Sequence, residues 1–224
     1  MVIIDPETPF NNADKYGVVY SPDSKSLLKC ENKNIPEYKV KEGTVAIDDD
    51  AFSDCCALTS ITIPNSVESI GGGAFSGCFN LKSITIPNGV RHINTRTFCG
   101  CRCLQSIDIP DTVTSIGWEA FKWCEWLQDI RIPKSVIEIE DGAFNGCGGL
   151  NTVYIPASVT KIGLAAFANC GDIDFNAPVP KVATFRQTVD CHLTIKCEAP
   201  SKPDGWDKNW VPDDIKVEWG VQDF

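Results

Sequence analysis

"LTSITIPNSVESIGGGAFSGCFN" runs from Leu58 to Asn80, and "LKSITIPNGVRHINTRTFCGCRC" follows directly from Leu81 to Cys103. Laid over each other, the two stretches agree at Leu58/Leu81, at I-T-I-P, at Val67/Val90, at Ile70/Ile93, at Phe75/Phe98 and at Cys78/Cys101. The register continues on both sides. Cys55, Cys124, Cys147 and Cys170 extend the cysteine column, and Phe52, Phe121, Phe144 and Phe167 extend the aromatic one. "IDIP" at Ile107, "IRIP" at Ile130 and "VYIP" at Val153 replace "ITIP" in later copies. "YKVKEGTVAIDDDAF" from Tyr38 keeps the register without the proline. A fixed period of 23 residues marks a repeat architecture. Six copies span about Tyr38 to Phe175.

Within one copy, L-x-x-I-x-I alternates with period two and favours β-branched residues, so it reads as a short strand. The proline that follows (Pro64, Pro87, Pro110, Pro133, Pro156) lacks an N–H and ends the ladder. "AFxxC" is too short for a stable helix and reads as a single helical or 3₁₀ turn. No copy can bury its Ile, Leu, Phe and Cys side chains alone. Parallel stacking at about 4.8 Å turns each column into a continuous row and builds one core.

The pattern L-x-x-I-x-I-P-x-x-V-x-x-I-x-x-x-A-F-x-x-C resembles the BspA-like, Treponema-type class of leucine-rich repeats. The expected fold is an α/β repeat solenoid: a leucine-rich-repeat right-handed superhelix with a parallel sheet of short strands, an N-terminal β-hairpin cap and a β-rich C-terminal cap. Three segments follow: 1–37 as N-terminal segment and hairpin cap, 38–175 as six repeats, and 176–224 as a divergent last repeat and C-terminal cap. "YGVVYSPDSKSLLKC", with Ser21-Pro22-Asp23-Ser24 between apolar runs, carries the hairpin signal. After Cys170 the phrase breaks, with Pro178 and Pro180 and no further AFxxC. The resemblance implies a bacterial, secreted or cell-surface protein that binds other proteins, adhesins among its relatives, and it names no ligand. Repeat scaffolds serve many partners.

Composition excludes some alternatives. The net charge of −10, with no Lys/Arg stripe, opposes nucleic-acid binding. No stretch approaches the roughly 20 apolar residues of a transmembrane helix. "MVIIDPETPF" lacks a basic n-region and meets Asp5 and Pro6 early, unlike a signal peptide. Either export by that route does not apply, which favours a cytoplasmic scaffold, or a leader preceded Met1.

Twelve cysteines would suggest disulfides in a secreted chain. Equivalent side chains in a parallel stack, however, point the same way at about strand spacing, wider than the roughly 3.8 Å between Cβ atoms that a disulfide prefers. The column cysteines are therefore expected as buried, reduced, small apolar fillers. Cys99-x-Cys101-x-Cys103 lacks metal-ligand spacing and a nearby histidine, so no metal and no cofactor is expected. Cys191 and Cys197 flank one short strand, and their pairing stays open. His92 and His192 read as solvated or structural, and Asp48-Asp49-Asp50 as a solvated turn. No acid/base or nucleophile set appears, so an enzyme is not expected, a thiol enzyme being the remote alternative.

Function then lies in the variable positions. Between the two isoleucines of each strand stand Lys39, Thr62, Thr85, Asp108, Arg131 and Tyr154, expected on the concave face. Two residues earlier stand Ser60, Ser83, Ser106, Asp129 and Thr152. Asp108, Asp129, Arg131 and Tyr154 form the concave candidate, since Tyr and Arg favour binding hot spots. Against it, Asp129 and Arg131 could be an incidental surface pair. The copy "IGWEAFKWCEWL" carries the second candidate. Trp118 replaces Gly72, Thr95 or Asp141; Trp123 replaces Asp54, Gly77, Gly100, Gly146 or Asn169; Trp126 replaces Ala57, Asn80, Cys103, Gly149 or Asp172. Columns that accept Gly, Asp and Asn should face solvent, so three indoles there should form an exposed patch that binds a protein, a glycan or a second copy of the chain. The alternative is that the rings pack on one another and on neighbouring copies. Trp206, Trp210 and Trp219 read as a cover for the core edge, with a sugar platform as the alternative.

Overall fold

The computed structural model describes residues 13–171 and 193–222. Among these residues, each repeat forms one coil of a parallel β-solenoid. Two groups of strands alternate along the chain. The first comprises β1 (Val18–Tyr20), β2 (Ser26–Cys30), β4 (Ala46–Ile47), β6 (Ser69–Ile70), β8 (His92–Ile93), β10 (Ser115–Ile116), β12 (Glu138–Ile139) and β14 (Lys161–Ile162). These build two four-stranded sheets, β1-β2-β4-β6 and β8-β10-β12-β14.

The second group makes one eight-stranded sheet. It comprises β3 (Glu37–Lys39), β5 (Ser60–Thr62), β7 (Ser83–Thr85), β9 (Ser106–Asp108), β11 (Asp129–Arg131), β13 (Thr152–Ile155), β15 (Thr194–Cys197) and β16 (Lys216–Trp219). Its pairing is parallel and keeps the repeat register, for example Ile84↔Ile107, Thr85↔Asp108 and Arg131↔Tyr154. In β5, β7 and β9 the burial alternates exposed, buried, exposed, as a pleat with one wetted face requires. β5, β7, β9, β11 and β13 each end at a proline, whose carbonyl then accepts the N–H three residues on, as from Val67 to Pro64 and Val90 to Pro87.

The third side of the coil corrects the sequence reading. No helix occurs among the described residues, so the solenoid there is all-β, and "AFxxC" is a string of turns. Two left-handed positions mark each phrase, one just before it and one at its fourth residue. One column holds Asp50, Gly73, Arg96, Glu119, Gly142 and Ala165; the other holds Asp54, Gly77, Gly100, Trp123, Gly146 and Asn169. With only three residues between such positions, a right-handed helical run cannot build its i→i+4 bonds. The amides bond to the next coil instead: Phe52 N–H to Ala74 O at 2.7 Å, Phe75 to Thr97 at 2.9 Å, Phe98 to Ala120 at 2.8 Å. Polar backbone is thus satisfied by the stack itself.

Inside, the six column phenylalanines are fully buried and lie ring over ring. Neighbouring centroids are 5.1–5.6 Å apart with planes within 13° of parallel. Such offset pairs add about 0.5–1.5 kcal/mol each beyond burial. The column cysteines are buried free thiols, and they do more than fill space. The Sγ of Cys78 donates to the carbonyl of Phe52 in the preceding coil at 3.1 Å, and Cys101, Cys124 and Cys147 repeat the contact with Phe75, Phe98 and Phe121. Burial pushes the Cys78 thiol up to about 12.

Aromatic groups meet the Phe stack at both ends. Tyr38 packs on Phe52, and its hydroxyl donates to Asp14 Oδ2 at 2.6 Å while meeting the Tyr20 hydroxyl at 2.9 Å. At the other end Phe167 meets Trp210 edge-on, and Trp210 packs against Trp206 with centroids 4.8 Å apart. Trp206 and Trp210 are only 3% exposed, and the Trp206 indole donates to Val159 O. That burial overturns the sugar-platform alternative for these two rings. The break after Cys170, together with Cys191 and His192, falls in residues 172–192, outside the described residues. Cys197 carries a buried free thiol, raised to about 12 by burial.

Candidate functional site

The coil from Gly117 to Leu127 departs most from its neighbours. Trp118, Trp123 and Trp126 are 40%, 50% and 44% exposed, while Phe121 and Cys124 between them and Leu127 just after are fully buried. The alternation follows from the turn: Ala120, Phe121 and Cys124 point into the stack, and the intervening residues point out. Trp123 has φ 60°, like Gly77, Gly100 and Gly146 at φ 73–78°. Its column accepts Gly, Asp and Asn because the backbone there is left-handed, where those residues are least strained. Solvent exposure of the column, the expected reason, is secondary, since Gly77 and Gly100 are buried. An indole in this conformation is locally unfavourable, by about 1–2 kcal/mol.

Cations lie on the rings. The Arg96 guanidinium sits 4.3 Å from the Trp118 centroid, and the Lys122 ammonium 4.7 Å from that of Trp123. Both also hold Glu119, Arg96 Nε at 2.7 Å and Lys122 Nζ at 2.5 Å. Burial works against the charge on Glu119, yet the bonds from Lys122 and Arg96 prevail and keep its carboxyl below the usual range. Nearby, Phe79 is 40% exposed beneath Arg102, whose Nε lies 3.5 Å from Glu125. The expectation from sequence did not include Arg96, Glu119, Lys122 or Phe79. Phe79 could have been found, because its column otherwise holds Cys56, Arg102, Glu125, Gly148 and Gly171. The Arg96–Glu119–Lys122 group spans adjacent coils and carries no such signal. Trp118 and Trp123 thus carry cations on their faces, and all three rings remain substantially exposed.

The sheet-face residues occupy adjacent strands. Asp108 and Arg131 are exposed, and Arg131 Nη1 lies 4.0 Å from Asp111 Oδ1. Tyr154 is half-buried, with Lys196 Nζ 5.3 Å from its ring centroid. Asp129 pairs with Thr152 through the backbone, and its side chain lies outside what is described. The two candidates are separate: one on the eight-stranded sheet, the other on the turn side.

The remaining polar residues mostly tie coils together. Asp49 Oδ1 accepts the Gly72 N–H at 2.7 Å, and Asp141 Oδ1 accepts that of Leu164 at 2.8 Å. His92 Nδ1 is 2.8 Å from Ser115 Oγ on the next coil. Among the described residues, no group of three or more His, Cys, Asp or Glu side chains is arranged to hold a metal ion, and no helix is long and apolar enough to cross a membrane.

Register, strand order and the buried Phe and Leu columns define a parallel solenoid of leucine-rich-repeat type. The BspA type leucine-rich repeat region matches residues 45–174 in six copies, and the chain belongs to that family. Among solved structures, a leucine-rich repeat protein from T. pallidum is similar at 30% identity with a TM-score of 0.64, over 75% of this chain and 79% of that one. A leucine-rich repeat protein from Bacteroides ovatus is similar at 24% identity with a TM-score of 0.51, over 83% of this chain and 54% of the other. One from Eubacterium ventriosum shares 22% identity with a TM-score of 0.52, over 75% and 50%. No curated protein matches the chain. Membership in this family points to a protein-interaction role.

Proposed function

We propose that this chain is a non-enzymatic recognition module that binds a protein partner at a bacterial cell surface, through the face carrying Trp118, Trp123 and Trp126. One observation carries the reading. Three large rings stand exposed in a single coil, at positions where neighbouring coils hold small or polar residues. One of them stands there despite an unfavourable backbone conformation. Folding does not call for an indole at such a place, and contact surfaces favour Trp. The sheet face with Asp108, Asp129, Arg131 and Tyr154 is a second contact area in this proposal. In this proposal the repeats of 38–175 carry recognition, with 1–37 and 176–224 as the terminal segments. A glycan ligand and self-association are alternatives for the same Trp face. A scaffold inside the cell is a second reading, favoured by the free thiols among the described residues.

The test compares the wild-type chain with the double variant W123G/W126N, which installs the residue types that Gly77 and Asn80 supply in a sister coil. Sedimentation of the pure protein reads self-association, and capture from host and bacterial surface extracts reads partner binding. The reading expects the variant to fold and to lose capture or dimer. A folded variant with unchanged association would refute it.

A further inference from the structure

Trp118 has two sides. Arg96, from the preceding coil, covers the ring from one direction. Toward the following coils the ring forms one wall of a surface cavity, completed by Glu138, Ile139, Glu140, Asp141, Lys161 and Gly163. Each acid in it is anchored by one oxygen. Glu140 Oε2 accepts the backbone N–H of Trp118 at 2.8 Å, Asp141 Oδ1 accepts the backbone N–H of Leu164, and Glu138 Oε1 holds Lys161. The second oxygen of each carboxylate has no hydrogen bond among the described residues. Three carboxylates face one ammonium, so the cavity keeps an excess of two negative charges (3 − 1) within a chain of net charge −10.

We propose that this cavity is a receptor for an arginine side chain presented by a basic segment of the partner protein. The inference rests on the reading of the Trp face as a contact surface. A guanidinium is planar and fork-shaped: it can lie on the indole while donating to the unpaired carboxylate oxygens, a combination a compact ammonium matches less well. The molecule already shows the pairing, since Arg96 stacks on this same ring and Arg102 lies over Phe79. Net negative charge would also draw a basic segment toward the surface. Lys161, which also lines the cavity, is a built-in competitor, its side chain 63% exposed.

The experiment is a titration of the ¹⁵N-labelled full chain with the peptide acetyl-Gly-Arg-Gly-Arg-Gly-amide, read at the Trp118 indole N–H and the Gly163 amide. The same peptide with citrulline in place of arginine is the uncharged control. The arginine peptide should shift both signals, with affinity at least about 10-fold above the citrulline form. W118T, which installs the residue of the preceding coil, should weaken binding about 10-fold, and K161A should strengthen it about 3-fold. Equal response to both peptides overturns the assignment. So does a response that survives W118T, which would mean attraction to the overall charge, or a weaker response in K161A. The variant W123G/W126N lies outside the cavity and should keep the peptide response while losing association. Silent Trp118 signals with association still dependent on Trp123 and Trp126 would sink the cavity alone. Unchanged association in that variant would sink the contact reading.

Discussion

Gly146 and Gly100 occupy the same left-handed column at φ 78° and 73°, and they differ in what lies above them. A methyl group on Gly146 would come within 2.5 Å of Trp123 Cδ1, whereas one on Gly100 would meet Phe79 Cε1 at 3.6 Å, an ordinary contact. Placing alanine in a left-handed conformation costs about 1–2 kcal/mol, and stiffening the unfolded chain returns about 0.4–1. G100A should therefore destabilise by about 1 kcal/mol. G146A should add the displacement of the Trp123 ring from its seat, an off-rotamer penalty of about 1 kcal/mol, for roughly 2 in total. In a W123G background the ring is gone, and G146A should fall back to about 1 kcal/mol. Urea melts of the four proteins of this cycle, with G100A as reference, read the coupling from midpoints at constant m. If G146A and G100A cost the same, or the coupling is below about 0.3 kcal/mol, the ring does not rest on Gly146. The placement of the exposed indole would then be wrong.

Phe98→Ala opens the ring stack and should cost about 3–5 kcal/mol, whereas Cys101→Ala loses a small side chain and one weak donor, about 1 kcal/mol. Equal losses in urea would contradict the different roles of these columns. In thiol titration of the native protein, the half-buried Cys56, Cys99 and Cys103 should react first. Cys101, Cys124 and Cys147, enclosed and with pKa values raised by burial, should react only on unfolding; rapid native-state labelling of any of these would break the stacking picture. E119Q should be less stable than the wild type at pH 7. Since the bonds from Lys122 and Arg96 hold the folded Glu119 carboxyl below its ordinary range, the native state binds fewer protons than the unfolded one as pH falls through that region. The advantage over E119Q should be complete above about pH 5 and fade as pH drops through the folded pKa; a pH-independent gap would show that the ion group is not its source.

The fold was legible because its cause is periodic. A buried column repeats at 23 residues, so Phe75, Cys78, Leu81 and Ile84 announce their partners in every other copy, and each coil contacts only its neighbours. The odd composition of Gly117–Leu127 was legible for the same reason, as a departure from that period. The turn side was not. Whether "AFxxC" winds into a helix depends on dihedrals at Asp50, Arg96 or Glu119, residues that do not demand a left-handed backbone and adopt one where the next coil's carbonyls satisfy their neighbours' amides. The surroundings of the rings also belong to tertiary structure alone. Arg96 reaches Trp118 and Glu119 across one coil boundary, and Glu140 and Lys161 line a cavity with Trp118 across the next two. Those residues sit 22 to 43 positions from Trp118 in a chain whose local pattern is silent about variable positions. Sequence determined which side chains must be inside, because burial repeats; stacking decided which exposed ones meet, because only the lateral spacing of coils brings unrelated positions together.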